Sequence, residues 1–100
     1  MADVEYYRGG NDLTARPNDV VLDPGTGLVR PRRGVSVSSS PAGLEQYGGP
    51  FRVTNLPPEL TIVQIGRRKE HYEIVPRVPM TFDDYQAFLG AIILVPIPIP

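Results

Sequence analysis

The chain has 100 residues, enough for one domain with one core and one modest site, because a chain of this length buries only about two thirds of the surface it exposes when unfolded. Its 10 Lys and Arg residues nearly balance its 11 Asp and Glu residues, and the formal net charge of -1 does not favour general attraction to nucleic acid or to anionic membranes. The lack of cysteine excludes disulfides, thiolate metal sites and a cysteine nucleophile.

Neither end of the sequence has the pattern of an export signal or a membrane span. The segment from Met1 to Arg8 lacks the basic and apolar regions of a signal peptide, so we expect a protein made in the cytoplasm and not exported by the general secretory route. The apolar segment from Ala91 to Pro100 is shorter than the roughly 20 residues that span a bilayer, and prolines interrupt it. We interpret it as a core segment that runs into an extended tail.

The first half of the chain predicts short strands separated by turns, because prolines and glycines divide brief runs of β-branched and aromatic residues. A brief extended run is predicted over 20–22, and the strand candidates are 4–8 and 35–38. In the last of these, Ser36 and Ser38 alternate with valines, so the serines are predicted to share one face of the strand. A short turn or helix is predicted over 41–47, ended by a Gly-Gly-Pro sequence.

The second half predicts three further strands over 51–56, 61–66 and 71–75. The charged segment Arg67 to Glu70 would form a hairpin-like connection between the last two. Alternation along 71–75 predicts that His71 and Glu73 share one face of the sheet and that their neighbours share the other.

One helix is predicted, from Thr81 to about Leu89 or beyond. Thr81 and Asp84 have the spacing of a capping box with an acidic partner. Apolar residues recur at helical spacing and should form core; they are Phe82, Tyr85, Phe88, Leu89 and Ile92. The predicted fold class for the single domain 1–100 is therefore α+β, with a bent antiparallel or mixed sheet and one main amphipathic helix near the C-terminus.

Several common site types find little support in the sequence. The segment from Gly34 to Ser38 has serine in place of the second glycine of a Gly-x-Ser-x-Gly nucleophile elbow, which disfavours a serine hydrolase. One histidine and no cysteine leave only carboxylates to complete a tetrahedral zinc site, so no metal ligands are predicted. Neither a P-loop nor a Gly-x-Gly-x-x-Gly fingerprint is present.

Arg8, Ser36 and His71 form the remaining constellation with chemical meaning. The planar fork of arginine suits a diphosphate, a serine hydroxyl can bond an amide or a ribose, and an imidazole can contact ribose hydroxyls or a base edge. A nicotinamide dinucleotide needs these contacts. Each residue also has a structural interpretation: Arg8 would be an exposed cation paired with Glu5 or Asp12. Ser36 would be a hydroxyl on a sheet face, and His71 a histidine bonded to a backbone carbonyl.

Four ordered segments, Tyr7-Arg8, 34–37, 56–60 and 71–80, resemble the ADP-ribosyltransferase-like toxin family of type VI secretion effectors. The most specific part is the His-Tyr-x-Ile-x-Pro-x-x-Pro-Met run, preceded by Pro-Pro-x-Leu. The resemblance implies a compact ADP-ribosylating fold that uses NAD as substrate and modifies a macromolecular acceptor. It also implies delivery by a specialised secretion system, action inside a target bacterial cell and neutralisation by a cognate immunity protein.

Carried over by position, the resemblance implies that Arg8 anchors NAD, that Ser36 is the serine of the central active-site strand, and that His71 is the active-site residue of a late strand. The expected catalytic residues are thus Ser36 and His71, and the expected NAD contacts are Arg8, Ser36 and His71. Val35 departs from the family, which tends to have a hydroxyl residue before this serine. The resemblance assigns no role to Glu73.

Two other functions stay open at this point, as does the choice between ADP-ribose transfer and NAD hydrolysis. The first is a non-catalytic module that binds a protein partner, which Val35 and the small size favour. The second is an NAD-dependent RNA phosphotransferase, which would need a basic groove that the net charge does not favour. The cations of the Arg67 to Lys69 turn are most simply solvated.

Overall fold

The computed structural model describes residues 4–98 as a six-stranded antiparallel sheet with one α-helix. The strands are β1 (Tyr7–Arg8), β2 (Val35–Ser38), β3 (Phe51–Thr54), β4 (Leu60–Gln64), β5 (His71–Pro76) and β6 (Ile93–Pro96), and the helix is α1 (Phe82–Gly90). Two single-turn 3-10 helices occupy Pro17–Asp19 and Glu45–Tyr47. The predicted α+β class is confirmed, and the sheet is antiparallel throughout.

The strand order is β4-β5-β2-β1-β3-β6, so β2 and β5 are neighbours in the interior of the sheet. Their register places Ser36 opposite Glu73 and Ser38 opposite His71. Directly opposed residues of antiparallel strands point to the same face. These four side chains therefore share one face, as the alternation in both segments predicts.

The core lies between the other face of this sheet and α1. Its buried members are Leu13, Ala15, Val20, Val29, Val35, Val37, Leu60, Ile74, Tyr85, Leu89 and Ile92. Tyr85 and Leu89 are the buried residues of α1, whereas Phe82 and Phe88 are only partly buried against the cluster. The predicted helical stripe is confirmed as a packing surface, although Phe88 is less buried than Leu89.

Tyr85 joins α1 to the two central strands. Its hydroxyl accepts a hydrogen bond from the amide of Val35 at 3.1 Å and donates to the carbonyl oxygen of Ile74. Gly34 lies beside this junction, where a Cβ would overlap both the Ile74 carbonyl and the Tyr85 hydroxyl. Glycine is required here by close approach of the backbone, since no other residue leaves the space empty.

Several predicted element boundaries differ from the structure. The strands predicted over 51–56 and 61–66 are Phe51–Thr54 and Leu60–Gln64. The predicted extended run 20–22 is not a regular strand; Leu22 forms a single bridge with Val29, which also bridges Met80. Of the strand predicted over 4–8, only Tyr7 and Arg8 form β1, and Val4 to Tyr6 lie outside it. The segment Ile93–Pro96 belongs to the stretch predicted as core running into an extended tail, and it pairs with β3 as an edge strand. The predicted tail over 99–100 lies outside the described residues.

The predicted N-cap of α1 is confirmed, but of the two bonds of the predicted capping box only one is formed. Thr81 is the N-cap, and its hydroxyl accepts from the amide of Asp84 at 3.1 Å, which satisfies one of the free amides of the first turn. The helix ends at Gly90. Within residues 4–98, none of the helices has the length and apolar character needed to cross a membrane.

We expect Gly34→Ala to lower the free energy of unfolding by about 3 kcal/mol or more, because the added methyl group overlaps backbone and hydroxyl atoms that packing holds in place. The matched control is Gly90→Ala in α1, where a Cβ meets nothing within 4 Å. This control should leave stability unchanged or raise it by up to about 1 kcal/mol. Urea unfolding of the two variants beside the wild type measures both changes. Equal midpoints for Gly34→Ala and the wild type would show that the junction is not tight.

Candidate functional site

A cavity of about 690 Å³ opens where β1, β2 and β5 lie side by side. Arg8, Ser36 and His71 all line it, so the structure brings together the three residues that the sequence singles out. The facing wall is the segment 40–47, which contains the second 3-10 helix. Tyr47 stands at the rim, with 63% of its surface exposed.

Arg8 is held by two backbone carbonyl groups. Its Nε donates to the carbonyl oxygen of Asp12 at 3.0 Å, and its Nη1 donates to that of Ser36 at 2.7 Å. Because β1 ends at Arg8 and runs antiparallel to β2, with Tyr7 opposite Ser38, the guanidinium extends past the end of β1 and reaches a carbonyl in the middle of β2. Partial burial lowers the pKa of Arg8 from its usual value, against the opposing effect of nearby aspartates. Two of the five N–H groups of the guanidinium are used in these bonds, and the other three have no hydrogen-bond partner within residues 4–98.

The structural interpretation of Arg8 from sequence is thereby corrected. Arg8 bonds to the main chain of Asp12 and not to its carboxylate. Glu5 lies 3.7 Å from Arg52 and accepts from the hydroxyl of Tyr7, so it is engaged elsewhere. Arg8 is therefore both a structural clamp between two chain segments and a cation in the cavity wall.

Serine hydroxyls line the cavity along β2 and beyond it. Ser36 is exposed in the middle of the strand, and Ser38 and Ser40 follow at the entrance to segment 40–47. Ser38 Oγ accepts from the amide of Ser40 at 3.1 Å, and Ser40 Oγ accepts from the amide of Ala42 at 3.2 Å. Sequence reasoning did not name Ser38 and Ser40 as site residues. For Ser38 the signal was present, because period-two alternation places it on the face of Ser36.

His71 is bonded to a buried carboxylate. Its Nε2 lies 2.9 Å from Oε2 of Glu73, which is only 1% exposed. Glu73 Oε1 also accepts from the amide of Gly34 at 3.0 Å and from Nε of Arg33 at 3.1 Å. The structural interpretation of His71 predicted a backbone carbonyl as its partner, and that is wrong: the partner is a side-chain carboxylate.

The carboxylate of Glu73 stays ionised despite its burial. Burial acts to raise its pKa, but hydrogen bonds from the Gly34 amide, His71 and Arg33 outweigh it, so the pKa of Glu73 lies below its ordinary value. Arg33 reaches this carboxylate from solvent, with 57% of its side chain exposed. The ionised carboxylate of Glu73 therefore places a negative charge directly behind the imidazole of His71.

The turn between β4 and β5 supplies the charged rim of the cavity. Arg68 and Glu70 line it and are paired at 3.1 Å, with Arg68 largely exposed. The predicted hairpin connection is confirmed, since β4 and β5 pair on either side of this turn. Within residues 4–98, no group of three or more histidine, aspartate and glutamate side chains is arranged to hold a metal ion. The chemistry available in the cavity is that of a guanidinium, several hydroxyls and an imidazole.

Comparison of the chain with protein-family models, with curated proteins and with solved structures finds no match. The function of this protein is therefore inferred from the cavity residues and their contacts.

We expect Glu73→Gln to lower the free energy of unfolding by about 1.5–3 kcal/mol at pH 7, because a charged acceptor of buried hydrogen bonds is lost. A carboxyl whose pKa is lowered in the folded state stabilises above its unfolded pKa, and this contribution is lost as the pH falls through the folded pKa. The difference between wild type and Glu73→Gln should thus shrink below about pH 4.3. Urea unfolding at several pH values measures it.

The control is Glu70→Gln, which alters an exposed carboxylate at the cavity rim and should remain close to the wild type at neutral pH. A stability difference between wild type and Glu73→Gln that stays constant from pH 3 to 7 would contradict an ionised, buried Glu73.

Proposed function

We propose that the cavity binds NAD and that the protein transfers ADP-ribose from NAD to a macromolecular acceptor or to water, on an ADP-ribosyltransferase-like fold. The observation that carries the proposal is that Arg8, Ser36 and His71, from three different strands, line one cavity. The cavity volume of about 690 Å³ lies within the range of roughly 300–1,000 Å³ typical of small-molecule sites.

The strand order supports a particular placement of the ligand. Arg8 is on β1 and His71 on β5, and β2 with Ser36 runs between them. Neighbouring strands are about 4.8 Å apart, so the backbones of β1 and β5 are separated by roughly 10 Å, a span that a diphosphate and one ribose can bridge. In this placement Arg8 binds the diphosphate, Ser36 faces the nicotinamide half and His71 contacts the ribose.

Arg8 suits the diphosphate for an electrostatic reason. Its guanidinium is partly buried and fixed by the carbonyls of Asp12 and Ser36, so its charge is oriented before the ligand arrives. Attraction to an anion is stronger where water is partly excluded. This local site explains how a chain with a net charge of -1 can bind an anionic ligand.

The reaction needs no protein nucleophile. The bond between ribose C1′ and the nicotinamide nitrogen breaks, and its electron pair leaves with neutral nicotinamide. The oxocarbenium-like ribose is then attacked by a nucleophilic group of the acceptor, or by water, which loses a proton. Orientation of the ribose and electrostatic stabilisation supply the acceleration in such a reaction.

Consumption of NAD, or modification of a cellular target, inside a bacterial cell is harmful to that cell. We therefore include in the proposal that the protein is a bacterial toxin delivered into another cell, and that the cell producing it makes an immunity protein that blocks the cavity. The exposed rim formed by Tyr47 and Arg68 is the accessible surface for such a partner.

One observation favours the second candidate, a non-catalytic module that binds a protein partner. Two donor atoms of Arg8 are engaged with backbone carbonyls, as expected of a structural residue. Under this alternative the same cavity and rim would bind a partner without consuming NAD.

We expect the purified wild-type protein to release nicotinamide from NAD, and Ser36→Ala and His71→Ala each to reduce the rate by about tenfold or more, as loss of a well-placed hydrogen bond does. Ser39→Ala is the matched control, since Ser39 does not line the cavity. Its rate should equal that of the wild type. Chromatographic measurement of nicotinamide, with thermal melts of all variants, gives the comparison.

Arg8 is tested by Arg8→Lys, which keeps the positive charge and one ammonium donor group. Arg8→Ala would remove the charge together with both backbone contacts. A wild-type protein that releases no nicotinamide, with or without candidate acceptors, would reject the enzymatic proposal and favour the binding module. Equal rates for Ser36→Ala, His71→Ala and Ser39→Ala would reject this cavity as the site.

A further inference from the structure

Glu73 is buried beside the cavity, yet the NAD contacts proposed above do not use it. It lies behind His71 and is 1% exposed, and His71 rather than Glu73 lines the cavity. Removal of a carboxylate from water is unfavourable unless hydrogen bonds satisfy it. One of the bonds that satisfy Glu73 joins it to Nε2 of His71, so Glu73 can act on the imidazole in the cavity wall.

Two partners of the Glu73 carboxylate, the Gly34 amide and the Arg33 guanidinium, can act only as donors. The amide of Gly34 and Nε of Arg33 lie 3.0 and 3.1 Å from Oε1, and His71 Nε2 lies 2.9 Å from Oε2. An ionised carboxylate has no proton and can only accept hydrogen bonds. The proton in the bond to His71 must therefore belong to Nε2.

A neutral imidazole carries one N–H, so a proton on Nε2 leaves Nδ1 with a lone pair. Nδ1 is then the ring nitrogen available to a ligand, and it accepts. A ribose hydroxyl can donate to it. A diphosphate oxygen or an amide carbonyl oxygen, each of which only accepts, cannot.

We propose that Glu73 is a positioning residue that holds His71 as the Nε2–H tautomer, so that Nδ1 meets the ligand as a hydrogen-bond acceptor for a ribose hydroxyl. The identity of the ligand rests on the proposed function, whereas the tautomer rests only on the contacts of Glu73. This tautomer makes the cavity specific for the orientation of its ligand. The β5 side binds a hydroxyl donor, and the anionic part of the ligand is left to Arg8.

Glu73→Gln should reverse the tautomer. An amide side chain has one oxygen, and the amide of Gly34 is a fixed backbone donor that requires this oxygen in the position of Oε1. The NH₂ group of the glutamine would then face Nε2 of His71, which must become the acceptor. The proton moves to Nδ1, and the atom offered to the ligand changes from an acceptor to a donor.

The experiment uses the fact that His71 is the only histidine in the chain. Protein labelled with ¹⁵N-histidine gives a single imidazole spin system, in which nitrogen chemical shifts and couplings to the ring protons identify the tautomer at alkaline pH. The wild type should show a pyrrole-type Nε2 and a pyridine-type Nδ1. Glu73→Gln should show the reverse.

Arg33→Gln is the control, since it removes the exposed guanidinium but leaves both the carboxylate and the Gly34 amide. It should keep the tautomer of the wild type. A wild type with the proton on Nδ1, or a folded Glu73→Gln that keeps it on Nε2, would overturn the proposal. The wild-type spectrum decides by itself if Glu73→Gln does not fold.

Nicotinamide release links this inference to the proposed function. With NAD, Glu73→Gln should release nicotinamide about tenfold more slowly than Arg33→Gln, through loss of one hydrogen bond to the ligand. Equal rates in these two variants would overturn the role of the tautomer in ligand binding. A wild type that releases none but has the Nε2–H tautomer would reject the NAD proposal and leave the positioning of His71 by Glu73 supported.

Discussion

The ionised carboxylate of Glu73 is the interaction on which the central part of this structure depends. Burial of such a group is unfavourable by several kcal/mol unless donors surround it. The donors come from the main chain entering β2, from the Arg33 side chain and from the first residue of β5. One charge therefore fixes the start of β2 against β5 and orients the imidazole at the cavity, so stability and site geometry have the same origin.

A second polar junction lies one residue further along the same strands, on the opposite face of the sheet. The hydroxyl of Tyr85 bonds to the amide of Val35 and to the carbonyl of Ile74, the neighbours of Gly34 and Glu73. Burial raises the pKa of Tyr85 to about 12, so this hydroxyl remains a donor throughout the physiological pH range. The two strands are thus held by a carboxylate on one face and by a phenol on the other, with Gly34 between them because no side chain fits.

Patterns of near neighbours in the sequence predict the parts of the fold that depend on local geometry. Alternation indicates which faces carry Ser36 and Glu73, and helical spacing with Thr81 as cap indicates α1. Contacts between distant residues leave no such pattern. The Arg33 partner of Glu73 is 40 positions away along the chain. Likewise, nothing in the spacing of residues shows that Arg8 would bond to the carbonyl of Ser36. Strand β6 is not predicted because Pro96 at its end and Pro98 beyond it give this apolar segment the composition of a tail.

Those prolines also affect how the sheet behaves toward other chains. Strand β6 is one edge of the sheet, and such an edge can template the addition of a strand from another molecule through its free amides and carbonyls. Pro96 lies within β6 and Pro98 follows it, and neither has an amide hydrogen to donate. The prolines that interrupt this segment therefore remove amide donors from the exposed edge, and this disfavours intermolecular β-sheet growth along β6.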